Sequence, residues 1–533
     1  MFAQELAIEL KLTIGETAFS VPCGQVKNLA IELNSYGFDV SVDFWLLARV
    51  DLLFIPFSEK TLAQAYFLVQ AYYNDPSVPP LPIALTGYVY EKGLTEVTIP
   101  TVDNIPMLYR HYFIKFCDPA TLFWRQHFPS QLFVDKTMTD VIDAHKGDKI
   151  TITYDFTPLT VQKPILMLGL GESRNSASFY DFLMWYLDAQ NGILAYDSLL
   201  NAYKIVAAKV DVGEAQPVGD TELASWQVVF PETVRHNVNL LNGYTENADK
   251  QEIVNTEVVT GIRKDILVIM PVSDQFSARA TLEESRLILR EHEVELNFRD
   301  YPTITVRPGH LITLAGGNWG VGHFTFSKVY RVWQTSIKAT AKGQEALDDQ
   351  DKSVAGYNVD VTVRLELQAE KYVHRPPFVA PRYPVCVEGK ILSEAGAATE
   401  ETYQIYQEQT TSQDMYKVAI PLWENQNAIV AFTPDFFAGH FYFPAYKNER
   451  VLLAFEFESA TIAKFLDWRP GGRLPAESQG NHLLMGLKAD SQTSFNHVYE
   501  DQKPVLNLKR TSAADTQLVQ LKEGCMILET KEE

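Results

Sequence analysis

Hydrophobic positions open the chain in alternation. Ala7, Ile8, Leu10, Leu12 and Ile14 form a mostly period-two run, and Val40, Val42, Phe44 and Leu46 form a second. Alternation puts one strand face in a core and the other in water, so roughly the first hundred residues are expected to form an antiparallel sheet or barrel. The segment Ser58 to Tyr73 is ambiguous: it is rich in Ala, Leu and Gln, is compatible with a helix, and stops at Asn74-Asp75-Pro76. Two short helices carry start signals. Thr137 and Asp140 have the spacing of a capping box, with Val141 and Ile142 behind them. Ser178 and Asp181 repeat the arrangement, and Phe179, Phe182, Leu183, Tyr186 and Leu187 share one helical face. Gly192 stands where a C-terminal cap is expected. Neither helix presents a titratable cluster, so both are expected to brace a β domain.

Strand patterns return from about 225 to 340, with a helix expected near Thr281 to Arg290. The polar stretch Ala341 to Tyr357 carries Glu345, Asp348, Asp349 and Asp351 without an apolar period and reads as an internal linker. A strand over Val359 to Leu367 follows. The proline-rich crossing from His374-Arg375-Pro376-Pro377 through Pro381 to Pro384 suits a stiff, extended connector. Beyond it, short strands such as Tyr416–Pro421 and Glu449–Phe455, joined through a turn at Ala438-Gly439-His440, have the size of an oligonucleotide/oligosaccharide-binding (OB) barrel. Two alternating runs close the chain, Val505 to Leu508 and Leu518 to Leu528. Such strands cannot bury their apolar face alone and are expected to depend on partner chains.

The 533 residues are too many for one core and suit three or four domains, and 46% hydrophobic residues make a globular chain. With 67 acidic against 46 basic residues the formal charge is −21, which disfavours tracking a phosphate backbone. Cys23, Cys117, Cys386 and Cys525 are far apart, so no zinc ribbon or thioredoxin-type pair is available, and buried free thiols in a reducing compartment are expected. The first residues lack the features of a signal peptide, and no window approaches a membrane helix; cytoplasmic synthesis is expected.

Three places resemble the valine-glycine-repeat protein G (VgrG) family, the spikes of type VI secretion and related injection particles, equivalent to the fused hub and spike of contractile phage tails. The first is Arg174 to Tyr196. The second is Tyr372-Val373-His374-Arg375-Pro376-Pro377 through Arg382-Tyr383-Pro384 to Val387-Glu388-Gly389. The third is Ala438-Gly439 through Pro444 to Glu449–Phe455. Lys136 to Ile142 is similar to the family's helix start. After Phe455 the family's Gly-Asp-Pro turn is replaced by Glu456-Phe457-Glu458-Ser459-Ala460, and the stretch after 480 is too short for a long β-helical needle.

The resemblance implies a mainly β fold with a few short helices: tandem hub β-barrels over 1–370, a linker over 371–384, an OB-fold barrel over 385–475 and a short trimeric β-prism over 476–533. It implies a structural homotrimer, not an enzyme, that adapts a sixfold tail tube to a threefold membrane-piercing spike. The implied partners are a tail-tube (Hcp-like) protein, baseplate proteins, a PAAR-like tip protein, effector cargo and, on firing, a target membrane. Nucleic acid and cofactors are not expected. Assembly into an extracellular or cell-associated particle is implied, with a phage-tail-like particle favoured over a type VI secretion spike or phage tail hub. Leu506, Leu508, Val519, Leu521 and Ile527 are the candidates to face the trimer axis, because even spacing marks one strand face.

Other chemistry finds little support in the sequence. Gly169-Leu170-Gly171 lacks the third glycine of a dinucleotide site, and Gly316-Gly317-Asn318-Trp319-Gly320-Val321-Gly322 suits a hairpin turn better than a phosphate cradle. The eleven histidines are scattered and His292 is expected on a solvated surface, so no metal site or catalytic constellation is expected. A binding module using the OB barrel would need basic and aromatic residues on one face, whereas 388–414 carries Glu388, Glu394, Glu400, Glu401, Glu408 and Asp414.

Overall fold

The computed structural model describes residues 4–73, 81–100, 106–315, 322–398, 400, 402–408, 413–424, 426–432, 444–466, 480–488 and 491–532. The turns expected at Asn74-Asp75-Pro76 and Ala438-Gly439-His440, and all but Gly322 of the glycine-rich stretch, lie outside the described residues. The chain divides into two units. The first comprises Met1–Gln131, Asp135–Lys163 and Leu168–Arg382, and the second Leu132–Val134, Pro164–Met167 and Tyr383–Glu533.

In the first unit, eight strands close a circuit of antiparallel pairings. Its order is Gln4–Ile14, Ala63–Ala71, Ile83–Pro100, Pro106–Cys117, Gly37–Leu47, Val26–Asn34, Val329–Ala341 and Val354–Leu367, which returns to Gln4–Ile14. Closure leaves no free edge and sends alternate side chains inward. Leu6, Ile8, Leu10, Leu12 and Ile14 are buried, while Ala7 falls on the opposite face. The ambiguous segment is a strand: Ala63, Ala65, Phe67, Val69 and Ala71 are all buried. Tertiary pairing on both sides outweighs its Ala- and Gln-rich local preference.

A second set of strands uses the same long hairpin. His310–Leu314 pairs with the start of Val329–Ala341, and Glu293–Phe298 pairs with the end of Val354–Leu367. Val212–Val218 and Leu223–Val229 extend these two sides. The hairpin is therefore common to the closed circuit and to these additional strands of the same sheet. Its connection was expected to be a linker and is a fixed turn instead. Lys27 is 1% exposed and its Nζ donates to Gly24 O (2.9 Å), Gly343 O (2.9 Å) and Asp348 O (3.1 Å). Burial pushes the Lys27 pKa down, against the pull of Asp348 and Asp349.

Both capping boxes form. Thr137 starts Met138–His145 and Ser178 starts Phe179–Gln190, whose predicted apolar face is buried. The left-handed C-terminal residue is Asn191 (φ 59°), one position before the expected Gly192. At the start of this helical region Asp118 is fully buried and accepts from Phe38 N (3.2 Å), Thr121 N (3.0 Å) and the Tyr203 hydroxyl. Gly37 is required beside it, since a Cβ there would lie 2.4 Å from the Asp118 carboxylate. Burial raises the Asp118 pKa, and its hydrogen bonds oppose the rise.

The later helix runs Ser273–Arg286, not Thr281 to Arg290. It packs Phe276 and Ala280 on Leu240 of a three-stranded sheet, and its buried Glu283 is paired with Arg279 and Arg286. His292 is also buried, not solvated: it is 5% exposed, with Nε2 2.8 Å from the Tyr330 hydroxyl. Of the four thiols expected to be buried, Cys23 and Cys117 are, whereas Cys386 and Cys525 are exposed.

In the second unit, five strands close a barrel in the order Val385–Ile391, Asp414–Ile420, Gln426–Phe432, Ala460–Phe465, Arg450–Phe455 and back to Val385–Ile391. Gln426–Phe432 and Ala460–Phe465 run parallel and all other pairings are antiparallel, which is the OB arrangement. The unusual Glu456–Ala460 segment makes a tight turn, Glu456 N to Ser459 O at 2.9 Å. The barrel core contains Val418, Val430, Val451, Leu453 and Phe455, and also Leu132, Ile165 and Met167 from far upstream. Met167 N donates to Phe457 O (2.9 Å), and its carbonyl accepts from the Tyr383 hydroxyl (2.7 Å).

Candidate assembly surfaces

After the barrel, Asn481–Lys488, Ser491–Glu500, Lys503–Ser512, Asp515–Lys522 and Cys525–Lys531 pair in sequence order as an antiparallel meander. Residues opposite one another share a face. Leu506 lies opposite Leu521, and Leu508 opposite Val519. The same face continues to Met526 and Leu528 on the last strand, and through Phe495 to Leu483 on the first two. Four of the five predicted residues therefore fall together.

Ile527 does not. It lies opposite Gln520, and so on the other face with Asn507. Counting by twos from Val519 crosses the Glu523-Gly524 turn (Gly524 φ 74°), where the register pairs odd with even positions and reverses the facing. The reading missed Leu483, Met485, Phe495, Met526 and Leu528, although their alternation was visible in the sequence.

The apolar face is wet in the single chain. Leu508 and Leu521 are each 43% exposed, Met526 64% and Leu528 71%. A contiguous exposed patch of this kind marks an association surface. A lone meander with an uncovered apolar face is also marginal in water.

Several buried ionisable groups are engaged in holding the fold. Asp51 is fully buried and accepts from Arg110 (2.9 Å) and the Tyr112 hydroxyl (2.5 Å). Glu366 is paired with Lys209 (2.5 Å) and Arg331 (3.1 Å). His127 Nε2 sits 3.0 Å from His145 Nδ1; burial lowers both pKa values, that of His145 to about 4. His374 stacks on Trp333 with ring centres 3.8 Å apart, and burial lowers its pKa to about 4. No group of three or more His, Cys, Asp or Glu side chains among the described residues is placed to hold a metal ion.

No family model and no curated protein sequence matches the chain. Its backbone does match solved structures. A chain of a lidless PdpA–VgrG complex superposes with a TM-score of 0.71 at 13% identity, covering 99% of both chains. A chain of the lidded Francisella PdpA–VgrG complex gives 0.72 at 12% identity, covering 99% of this chain and 80% of that one. The fold is VgrG-like. In this VgrG-like chain the OB barrel presents acids rather than a basic groove. Glu388 pairs with Arg450 (2.6 Å) and Glu394 with Lys417 (2.7 Å), all at the surface. Such pairs neutralise the few barrel cations that a phosphate backbone would need.

Proposed function

We propose that this protein is the structural hub and spike of a contractile injection machine and performs no catalysis. The observation that carries the reading is the union, in one chain, of a barrel circuit, an OB barrel and a sheet with one uncovered apolar face. The VgrG-like superposition over nearly the whole chain supports it. Three copies would bury the faces carrying Leu506, Leu508, Val519 and Leu521 against one another around a threefold axis, as closed cyclic symmetry allows. The hub strands would stack on an Hcp-like tail tube within a baseplate, and the spike would carry a PAAR-like tip and effector cargo towards a target membrane. A phage-tail-like particle is the favoured setting, assembled from chains made in the cytoplasm.

Light scattering coupled to size exclusion tests the core of the proposal. The chain has a mass of 60.3 kDa, so the expected particle is about three times heavier. A monomer that persists when tube and tip proteins are supplied would overturn it.

A further inference from the structure

A cavity of about 580 Å3 opens in the first unit, a volume that suits a small organic ligand. Ile193, Ala195 and Val332 are among its apolar lining, and the exposed Leu199 and Leu200 also line it. The stacked rings of Trp333 and His374 add a flat aromatic element.

Its charges are unevenly satisfied. Lys209 and Arg331 share Glu366, Arg331 also reaches Asp211 at 2.7 Å, and Lys204 pairs with Asp155 at 3.2 Å. Asp197, the other carboxylate of the wall, accepts from the backbone of Leu199 (2.9 Å) and Leu200 (3.2 Å). Arg307 is the least satisfied: burial disfavours its charge, and Asp197 supports it only from beyond ion-pair distance. It has no ion pair among the described residues, and its Nε is buried without an acceptor. A half-buried guanidinium with an unpaired N–H is costly, and an anion hydrogen-bonded to it removes that cost.

We propose that the cavity is a binding site for an amphipathic carboxylate, its apolar body against Ile193, Ala195 and Val332 and its carboxylate paired with Arg307. Guanidinium and carboxylate match in a planar, two-point pairing that an alcohol or amide cannot reproduce. The site is independent of the spike sheet and of the assembly reading.

Dodecanoate, kept below its micelle concentration, is the probe, and calorimetric titration of the full chain is the measurement. Saturable binding at one site per chain is expected. Arg307→Gln should weaken it about tenfold or more while leaving thermal stability unchanged, because no native ion pair is lost. Ala195→Trp should abolish it by filling the space. Leu200→Glu, at a side chain 74% exposed and so without risk to the core, should weaken it by repulsion. Dodecanol, with the same tail and no charge, should bind more weakly and ignore Arg307→Gln. Absence of saturable binding would overturn the proposal. So would equal affinity in all three variants, which would place dodecanoate on the exposed apolar sheet instead.

Discussion

The barrel circuit and the C-terminal meander are written in the same alternating pattern, yet their apolar faces meet different fates. In the circuit, Leu10, Phe67 and Ile114 have no solvent exposure, because the last strand pairs back to the first. In the meander, the first and last strands do not meet, and Leu521 and Leu528 stay in water. Period-two alternation thus specifies that a face will be buried, but not by whom. Closure decides between self and partner.

The contrast breaks most sharply with a charge on the open face. Val519→Asp should convert the proposed trimer to single chains in light scattering and leave the melting transition of the barrel circuit in place, whereas Ile527→Asp, on the opposite face, should leave the mass unchanged. Inside the circuit, Phe67→Ala should cost about 3–5 kcal/mol in denaturant unfolding of the hub and not alter the oligomeric mass. Lys27→Met leaves three carbonyl groups without their donor and should cost about 2–3 kcal/mol. Proteolysis should then cut between 341 and 357, a segment expected to resist cleavage in the wild type.

The smallest effect is a pH dependence confined to the hub. His145 and His374 titrate at about 4 when folded, below the ordinary histidine value near 6.5. The unfolded chain therefore binds more protons between those values, and stability is lost as pH falls from about 6.5 to about 4. Glu366, Lys209, Arg290 and Glu370 all act on His374, and the loss should show in thermal melts as a Tm that falls over that window. His374→Gln should flatten the slope.

Local signals were legible where they act locally. Capping boxes at Thr137 and Ser178 need only four consecutive residues, and both stand as read. Features that depend on distant partners were not. Ala63–Ala71 becomes a strand through its neighbours on both sides, and the 341–357 turn is fixed by one lysine more than 300 positions earlier. Ser273–Arg286 was misplaced because only Phe276, Ala280 and an ion-paired Glu283 are buried along it, too sparse a stripe to set its limits. The surplus charge of Arg307 was invisible because its cavity is assembled from strands and loops scattered between Leu33 and His374. For the assembly face, four residues were found by spacing alone, and the fifth was lost at a turn that changes parity.

The long hairpin Val329–Ala341 and Val354–Leu367 belongs both to the closed circuit and to the strands that extend the same sheet beyond it. A push delivered along it travels through the covalent backbone from the circuit into the strands that extend it, without passing through a soft connector. Its cross-strand hydrogen bonds lie perpendicular to that direction, so they are loaded together in shear rather than peeled one at a time. The first unit therefore behaves as a strut: stiff along the hairpin, and compliant only where separate strands meet.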